Sequence, residues 1–294
     1  MSIIITHNDA DGIISAASVF LKHPEKFSLY FATPNLLKTV FCKCISKHEM
    51  EEKLFVLDLS PNKEALRLAS FFDDVTWIDH HIWDVSVSSP IKGINDVNSP
   101  STARICANYF QLSQNKIFDW ADEIDRNDVK SVEGEYLRDL VDGIKFVYGK
   151  GFHLKFKHLA TLLSKDPESI MNEENDKIVE KFREWLKEVE NRVEREIKIF
   201  NSNDKKIGLY TTNKAIPTRI VLKKVKELGI SLDVLAVLYY HIKGKNIFTK
   251  VELRTLNNFD VYEIAKRLGG GGHKYASGAT VEGFLKIDDF MKFL

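Results

Sequence analysis

The chain has 294 residues, 44% of them hydrophobic, enough for two domains with real cores. Its 42 basic and 42 acidic residues give zero formal net charge, which excludes a broad basic coat for duplex DNA and leaves only locally held nucleic acid. The odd cysteine count (Cys42, Cys44, Cys106) and the absence of a signal peptide point to a reduced, cytoplasmic protein, and no apolar run approaches a membrane span.

In chain order, Ser2 to Thr6 is a β-branched run that reads as a buried strand, and Ile13 to Leu21 reads as a helix. Between them lies His7-Asn8-Asp9-Ala10-Asp11-Gly12. One carboxylate suffices to cap a helix. A His and two Asp at alternating positions exceed that need and favour a metal, because crowded carboxylates repel one another unless a cation joins them. Phe27–Ala32 reads as a second strand. Lys53–Leu57 is a third, running straight into Asp58. Val75–Ile78 is a fourth, ending in Asp79-His80-His81, and Ile91–Val97 a fifth. Ser99-Pro100-Ser101 is a strong helix start. This alternation predicts an α/β fold with a parallel sheet covered on both faces.

Lys116 to Leu163 reads as mostly helical, broken near 132–134 and 148–151. Glu173 to Phe200 reads as one long charged helix with Ile178, Phe182, Trp185, Leu186, Val189, Val193 and Ile197 on one stripe. That stripe suits a connecting helix or the face of a dimer or higher homo-oligomer. Asn201-Ser202-Asn203-Asp204 is the strongest boundary signal. A second, smaller α/β pattern follows, with strands at 206–210, 235–241 and 248–253 and helices at 217–228 and 261–268. Cys42-x-Cys44 has no second thiol pair, so no soft-metal site is expected. The predicted division is 1–165, a helical linker at 166–203, and 204–294.

If the first strands are parallel, His7, Asp9 and Asp11, then Asp58, then Asp79, His80 and His81 converge on one edge of the sheet, where open α/β sheets bind ligands. Mixed Asp and His donors suit a divalent first-row metal, leaning to Mn or Mg. So many donors could hold two ions about 3.5–4 Å apart, an arrangement suited to phosphate-ester hydrolysis. Asp122 and Asp125 lie three residues apart on one helix face, and either could complete the site or belong to a solvated acidic face. In the tail, Gly269 to Gly272 followed by His273 could present backbone N–H groups to an anion, and Arg254 at a strand end is a natural phosphate clamp. Tyr239, Tyr240 and Phe248 fit base stacking and core packing equally well.

These motifs resemble the DHH phosphoesterases that carry a DHH-associated C-terminal domain. His7-x-Asp9-x-Asp11-Gly12 is similar to the first family motif, Asp58 to the second and Asp79-His80-His81 to the third. Gly270-Gly271-Gly272-His273 followed by Ala276-Ser277-Gly278 is similar to the signature of the associated domain. The resemblance implies two α/β domains joined by a helical linker, with the active site in the cleft between them. It implies two Mn²⁺ ions, with Mg²⁺ or Co²⁺ as substitutes: His7 and Asp9 on one, Asp11 and His80 on the other, Asp58 bridging. It further implies that His81 contacts phosphate or braces the site, that Asp79 orients the histidines, and that Arg254, Gly270, Gly271, Gly272 and His273 hold the substrate. The fourth motif supplies one more Asp, here Asp122 with Asp125 as the alternative. The compact size is similar to that of RecJ-like and NrnA-like members. The expected activity is a metal-dependent exonuclease or oligoribonuclease on single-stranded or short RNA or DNA, working from the 3′ end through a metal-activated hydroxide. The alternatives are a cyclic dinucleotide phosphodiesterase, a 3′-phosphoadenosine 5′-phosphate phosphatase, or a non-catalytic scaffold among DNA-repair or replication proteins.

Overall fold

Five strands, β1 (Ser2–His7), β2 (Phe27–Ala32), β3 (Lys53–Leu57), β4 (Val75–Asp79) and β5 (Ile91–Asn95), form a parallel sheet in the order β2-β1-β3-β4-β5. The computed structural model describes residues 2–24, 26–202 and 204–294, and the chain divides into two units, 1–183 and 184–294. In the first unit the chain steps outward from β1 to β2 and then back across β1 to β3. That reversal makes the β1/β3 edge a topological switch point, where the connecting loops splay apart and open a crevice.

Three helices connect these strands: α1 (Ala10–Lys22), α2 (Leu37–Ile45) and α3 (Lys63–Ala69). Four more follow β5: α4 (Thr102–Phe110), α5 (Ile117–Asp125), α6 (Val132–Tyr148) and α7 (Phe152–Lys165). One apolar layer joins Ile4, Phe55 and Ile78 to α1, α4, α5, α6 and α7. The other joins Ile3, Ile5, Val56 and Trp77 to α2 and α3. Strands buried on both faces explain the near-continuous Ile and Val runs. The predicted break near 132–134 lies just upstream: Ser131 caps α6 by accepting from Gly134 N at 3.1 Å.

The predicted helix 173–200 is shorter than its periodicity suggests. α8 spans Glu173–Glu196, the division between the two units falls within it, and the chain then turns into β6 (Lys198–Ser202). β6 pairs antiparallel with β7 (Lys205–Thr212), so Phe200 sits opposite Ile207 rather than extending the helix stripe. Ile178, Phe182, Leu186, Val189 and Val193 of that stripe are buried within the chain itself. Asn203, in the predicted boundary run, lies outside the described residues.

The second unit continues with α9 (Thr218–Glu227), β8 (Val234–Lys243), β9 (Asn246–Arg254), α10 (Tyr262–Arg267), β10 (Gly271–His273), β11 (Ala276–Glu282) and α11 (Ile287–Met291). Its mixed sheet runs β10-β11-β9-β8-β7-β6. The glycine run is therefore partly strand: Gly271, Gly272 and His273 pair with Gly278, Ser277 and Ala276. Among the described residues, no helix is long and apolar enough to cross a membrane.

Candidate metal centre

The carboxyl ends of β1, β3 and β4 are adjacent, and each delivers acidic or imidazole side chains to the same edge. Gly12 lets this happen at β1. A Cβ there would lie 2.3 Å from the His7 carbonyl oxygen, so only glycine lets α1 start so close to the strand it leaves. Asp9 is the N-cap of α1: its Oδ1 accepts from Gly12 N at 3.0 Å. Its Oδ2 lies 2.5 Å from His7 Nδ1, so one carboxylate serves both the cap and the site.

Asp11 does not cap α1. Its two oxygens accept from the backbone N–H groups of Thr102 (2.8 Å) and Ala103 (2.7 Å), the first residues of α4. A helix N-terminus stabilises the negative charge there. Asp58 follows β3 in the left-handed region, with φ 56°, a backbone state that costs a non-glycine residue about 1–2 kcal/mol. Its Oδ1 accepts from the Thr102 hydroxyl at 3.1 Å. Its Oδ2 is buried and has no hydrogen-bond partner among the described residues. His7 Nδ1 stands 3.6 Å from it, beyond hydrogen-bond reach, and a buried carboxylate oxygen without a hydrogen bond is costly unless a cation or proton meets it.

Asp79 closes β4 and is fully buried. Its Oδ1 accepts from His81 Nδ1 at 2.7 Å and its Oδ2 from Trp83 Nε1 at 2.7 Å. Asn95 on β5 fixes the same turn by donating to the carbonyls of Asp79 (2.8 Å) and His81 (2.9 Å). His80 points inward: its Nε2 lies 3.6 Å from Asp125 Oδ2, 3.9 Å from Asp58 Oδ1 and 4.0 Å from Asp11 Oδ2.

The two acids on α5 part company. Asp122 accepts from Arg104 Nε at 2.8 Å and from Ser101 Oγ at 2.5 Å, so its carboxylate is spent tying α5 to α4. Asp125, one turn further, is the one that reaches His80. Donor atoms within 4.8 Å of one another fall into three sets: His7, Asp9 and Asp58; Asp11, His80 and Asp125; and Asp58, His80 and His81.

The electrostatics follow from this crowding. Burial, then the charges of Asp11, Asp9, Asp79 and Asp125, hold Asp58 well above the usual carboxylate range. Burial also raises Asp11, with Asp9 adding to it and His80 opposing. Burial among Asp11 and Asp9 pushes Asp125 up to about 8, although 35% of its side chain remains open to water, which screens it more than Asp58. Burial works to raise Asp9 as well, but His7 beside it, helped by Lys145 and the Gly12 N–H, brings it below the ordinary range. Asp79 is likewise lowered: its burial is outweighed by His81 and Trp83. Burial opposes the charge on His81, but Asp79 more than offsets this and raises its pKa. Carboxyls raised for want of a counter-charge, one buried oxygen without a hydrogen bond, and mixed N and O donors together fit divalent ions such as Mn²⁺ or Mg²⁺.

In the second unit, Arg254 of β9 sits opposite Ala276 of β11, which sits opposite His273 of β10, so the three form one row across adjacent strands. Most of the glycines beside them serve sheet packing. A Cβ on Gly270 would lie 2.1 Å from Gly278 O, and one on Gly272 would lie 2.7 Å from Ala276 O. Gly271 alone of the predicted substrate-binding glycines borders open space.

Thr102, Asn95 and Trp83 are site residues that sequence reasoning did not single out. The Ser99-Pro100-Ser101 helix start was the one available signal for Thr102.

Residues 203–294 match the DHHA1 domain family. No curated protein matches the chain. Among solved structures, the chain is similar to a pGpG-specific phosphodiesterase, PggH, from Vibrio cholerae, with a TM-score of 0.66 at 15% identity over 99% of this chain and 96% of that one. It is also similar to an exopolyphosphatase-related protein from Bacteroides fragilis (TM-score 0.57, 17% identity, 99% and 89% coverage). RecJ in complex with Mn²⁺ from Thermus thermophilus shares the fold at a TM-score of 0.52 and 13% identity, over 99% of this chain and 50% of that one.

Proposed function

Taking this chain as a DHH-fold phosphoesterase with a DHHA1 domain at its C-terminal end, we propose that it hydrolyses single-stranded or short oligonucleotides to nucleoside monophosphates, from the 3′ end. The observation that carries this reading is the shared donor set at the β1/β3/β4 edge, centred on Asp58, whose buried Oδ2 has no hydrogen bond among the described residues. His7, Asp9 and Asp58 would hold one divalent ion and Asp11, His80 and Asp125 a second, Mn²⁺ in our reading with Mg²⁺ or Co²⁺ as substitutes. Ions bound there neutralise charge building on a phosphoryl oxygen and lower the pKa of a water.

The chain's own residues supply the rest. The Thr102 hydroxyl occupies one oxygen of Asp58 and turns the other toward the donor cluster. The α4 N-terminus holds both oxygens of Asp11. Asp79 fixes the His81 ring and keeps it protonated to higher pH, where it serves as a hydrogen-bond donor to a phosphoryl oxygen. Arg254 and His273 would bind further phosphates along the strand. The zero net charge suits a short substrate, since long duplexes are bound chiefly through many phosphate contacts. The similarity in fold to a pGpG-specific phosphodiesterase supports a phosphodiester as the bond cleaved.

The test is hydrolysis of 5′- and 3′-labelled single-stranded RNA and DNA ladders, from two to about twenty nucleotides, with Mn²⁺ and with chelator. Stepwise, metal-dependent shortening that preserves the 5′ label is expected. Loss of the 5′ label first would reverse the polarity. Intact ladders alongside cleavage of a cyclic dinucleotide or of 3′-phosphoadenosine 5′-phosphate would replace the substrate. Retained activity in Asp79→Ala/His80→Ala would overturn the site.

A further inference from the structure

The second unit separates three aromatic residues that the sequence leaves equivalent. Tyr240 faces the core: its hydroxyl donates to Leu285 O at 3.2 Å and its ring stacks on Phe284 at 4.3 Å. Tyr239 and Phe248 lie on the opposite face of the sheet. His241 stands between them, its ring 5.3 Å from Tyr239 at 17° and 5.6 Å from Phe248 at 21°. The three rings form a near-parallel ladder, and each side chain is only half-buried. His241 Nδ1 has no hydrogen-bond partner among the described residues, so its two ring neighbours hold the imidazole in place.

We propose that Tyr239, His241 and Phe248 are a nucleobase-stacking platform, and that they make this chain prefer strands of several nucleotides over a dinucleotide. The inference rests on the oligonucleotide reading above and names the part of the substrate that reading leaves open.

Sheet register carries it. Paired residues share a face, and His241 pairs with Phe248, Tyr239 with Lys250, Leu235 with Arg254, Arg254 with Ala276, and Ala276 with His273. The ladder therefore lies on the face that presents Arg254 and His273. Phe248 and Arg254 are six residues apart on β9, which is about 20 Å of strand. A dinucleotide held at Arg254 does not reach the ladder, whereas several nucleotides of extended strand do. The face also carries Glu252 and Glu282. Glu252 is engaged by Lys250 and Thr218, and Glu282 by the Asn246 amide, so neither carboxylate stands unopposed along the path. Aromatic rings beside cations are the recurring means of holding single strands without reading their sequence.

The test is fluorescence anisotropy with the full chain, in chelator, using a labelled pentanucleotide, the same pentanucleotide lacking its bases, and a labelled dinucleotide. Tyr239→Ala/Phe248→Ala should weaken the pentanucleotide about tenfold or more while leaving the dinucleotide and the abasic strand unchanged. Phe248→Trp, which keeps a stacking surface, should restore most of the affinity. Equal affinity of variant and wild type for the pentanucleotide would refute the platform. Equal losses on all three probes, with a lowered melting temperature, would assign the ladder to hairpin packing and also refute it. Wild-type protein that binds neither strand would instead bring down the oligonucleotide reading itself.

Discussion

The Thr102 hydroxyl donates to Asp58 Oδ1 at 3.1 Å, and the other oxygen of that carboxylate is left buried without a hydrogen bond among the described residues, 3.6 Å from His7 Nδ1. The same residue's backbone N–H holds Asp11 at 2.8 Å. One residue at the start of α4 thus sets two of the carboxylates that the crevice brings together.

Thr102→Val keeps the backbone contact and the shape but removes the hydroxyl. We expect Mn²⁺ affinity, read by titration calorimetry, to fall about 10–100-fold, as when a residue that braces a metal ligand is lost. Thr102→Ser should restore it. Unchanged affinity in Thr102→Val would show that Asp58 needs no such brace.

The metal-free protein should lose stability as pH rises. Asp58, Asp11 and Asp125 have folded-state pKa values above the ordinary range, with Asp125 at about 8. A carboxyl raised on folding stabilises the fold below its unfolded pKa near 4 and loses that contribution as pH climbs through the folded value. Asp9 and Asp79, which are lowered, act in the opposite sense and lose theirs only as pH falls below the unfolded value. Melting temperature in chelator should therefore decline between about pH 4 and pH 8, with a shallower slope in Asp125→Asn. Saturating Mn²⁺ should flatten the curve. A melting temperature that climbs across this range would contradict the assignment.

Asp122 and Asp125 should separate by what they damage. Asp122→Asn weakens the bridge to Arg104, whose Nη2 lies 2.6 Å away, and should cost about 1.5–3 kcal/mol in denaturant unfolding. Asp125→Asn should instead lower metal affinity and leave the fold's stability at neutral pH intact or improved. The reverse pattern would exchange their roles.

Among the glycines, Gly270→Ala should destabilise the second unit by about 1–3 kcal/mol, because its Cβ would meet Gly278 O at 2.1 Å. Gly271→Ala meets nothing within 4 Å and should stay within about 0.5 kcal/mol. Similar unfolding midpoints for the two variants would mean that the run is not packed as described.

The parts of the site that sit at strand ends were legible, because a strand that stops at an acidic residue announces itself in one dimension. His7, Asp9, Asp11, Asp58, Asp79, His80 and His81 belong to that class, and the alternating pattern also yields the parallel sheet. Thr102 was not legible: it meets Asp11 across 91 residues of chain, and nothing local in an N-terminal helix residue points to a distant partner. Nor was the division of labour between Asp122 and Asp125, which turns on Arg104 claiming the first. Poly-glycine reads the same whether it opens a cradle or lets two backbones touch, so the strand at Gly271–His273 escaped the pattern. β6 escaped because Ile197 and Phe200 continue the three- and four-residue spacing of the helix before them.

The hydrogen bond from Trp83 Nε1 to Asp79 Oδ2 reaches further than holding a turn. Asp79 grips an indole with one oxygen and His81 with the other, so the fluorophore is one carboxylate removed from the imidazole pair. Trp77 is fully buried and donates to Leu59 O at 2.7 Å, away from that carboxylate. Trp83 is thus placed as an optical gauge: an ion or a phosphate that drew His81 toward it would change the charge felt by Trp83, and tryptophan emission, to which Trp120 and Trp185 also contribute, should register the change without a label.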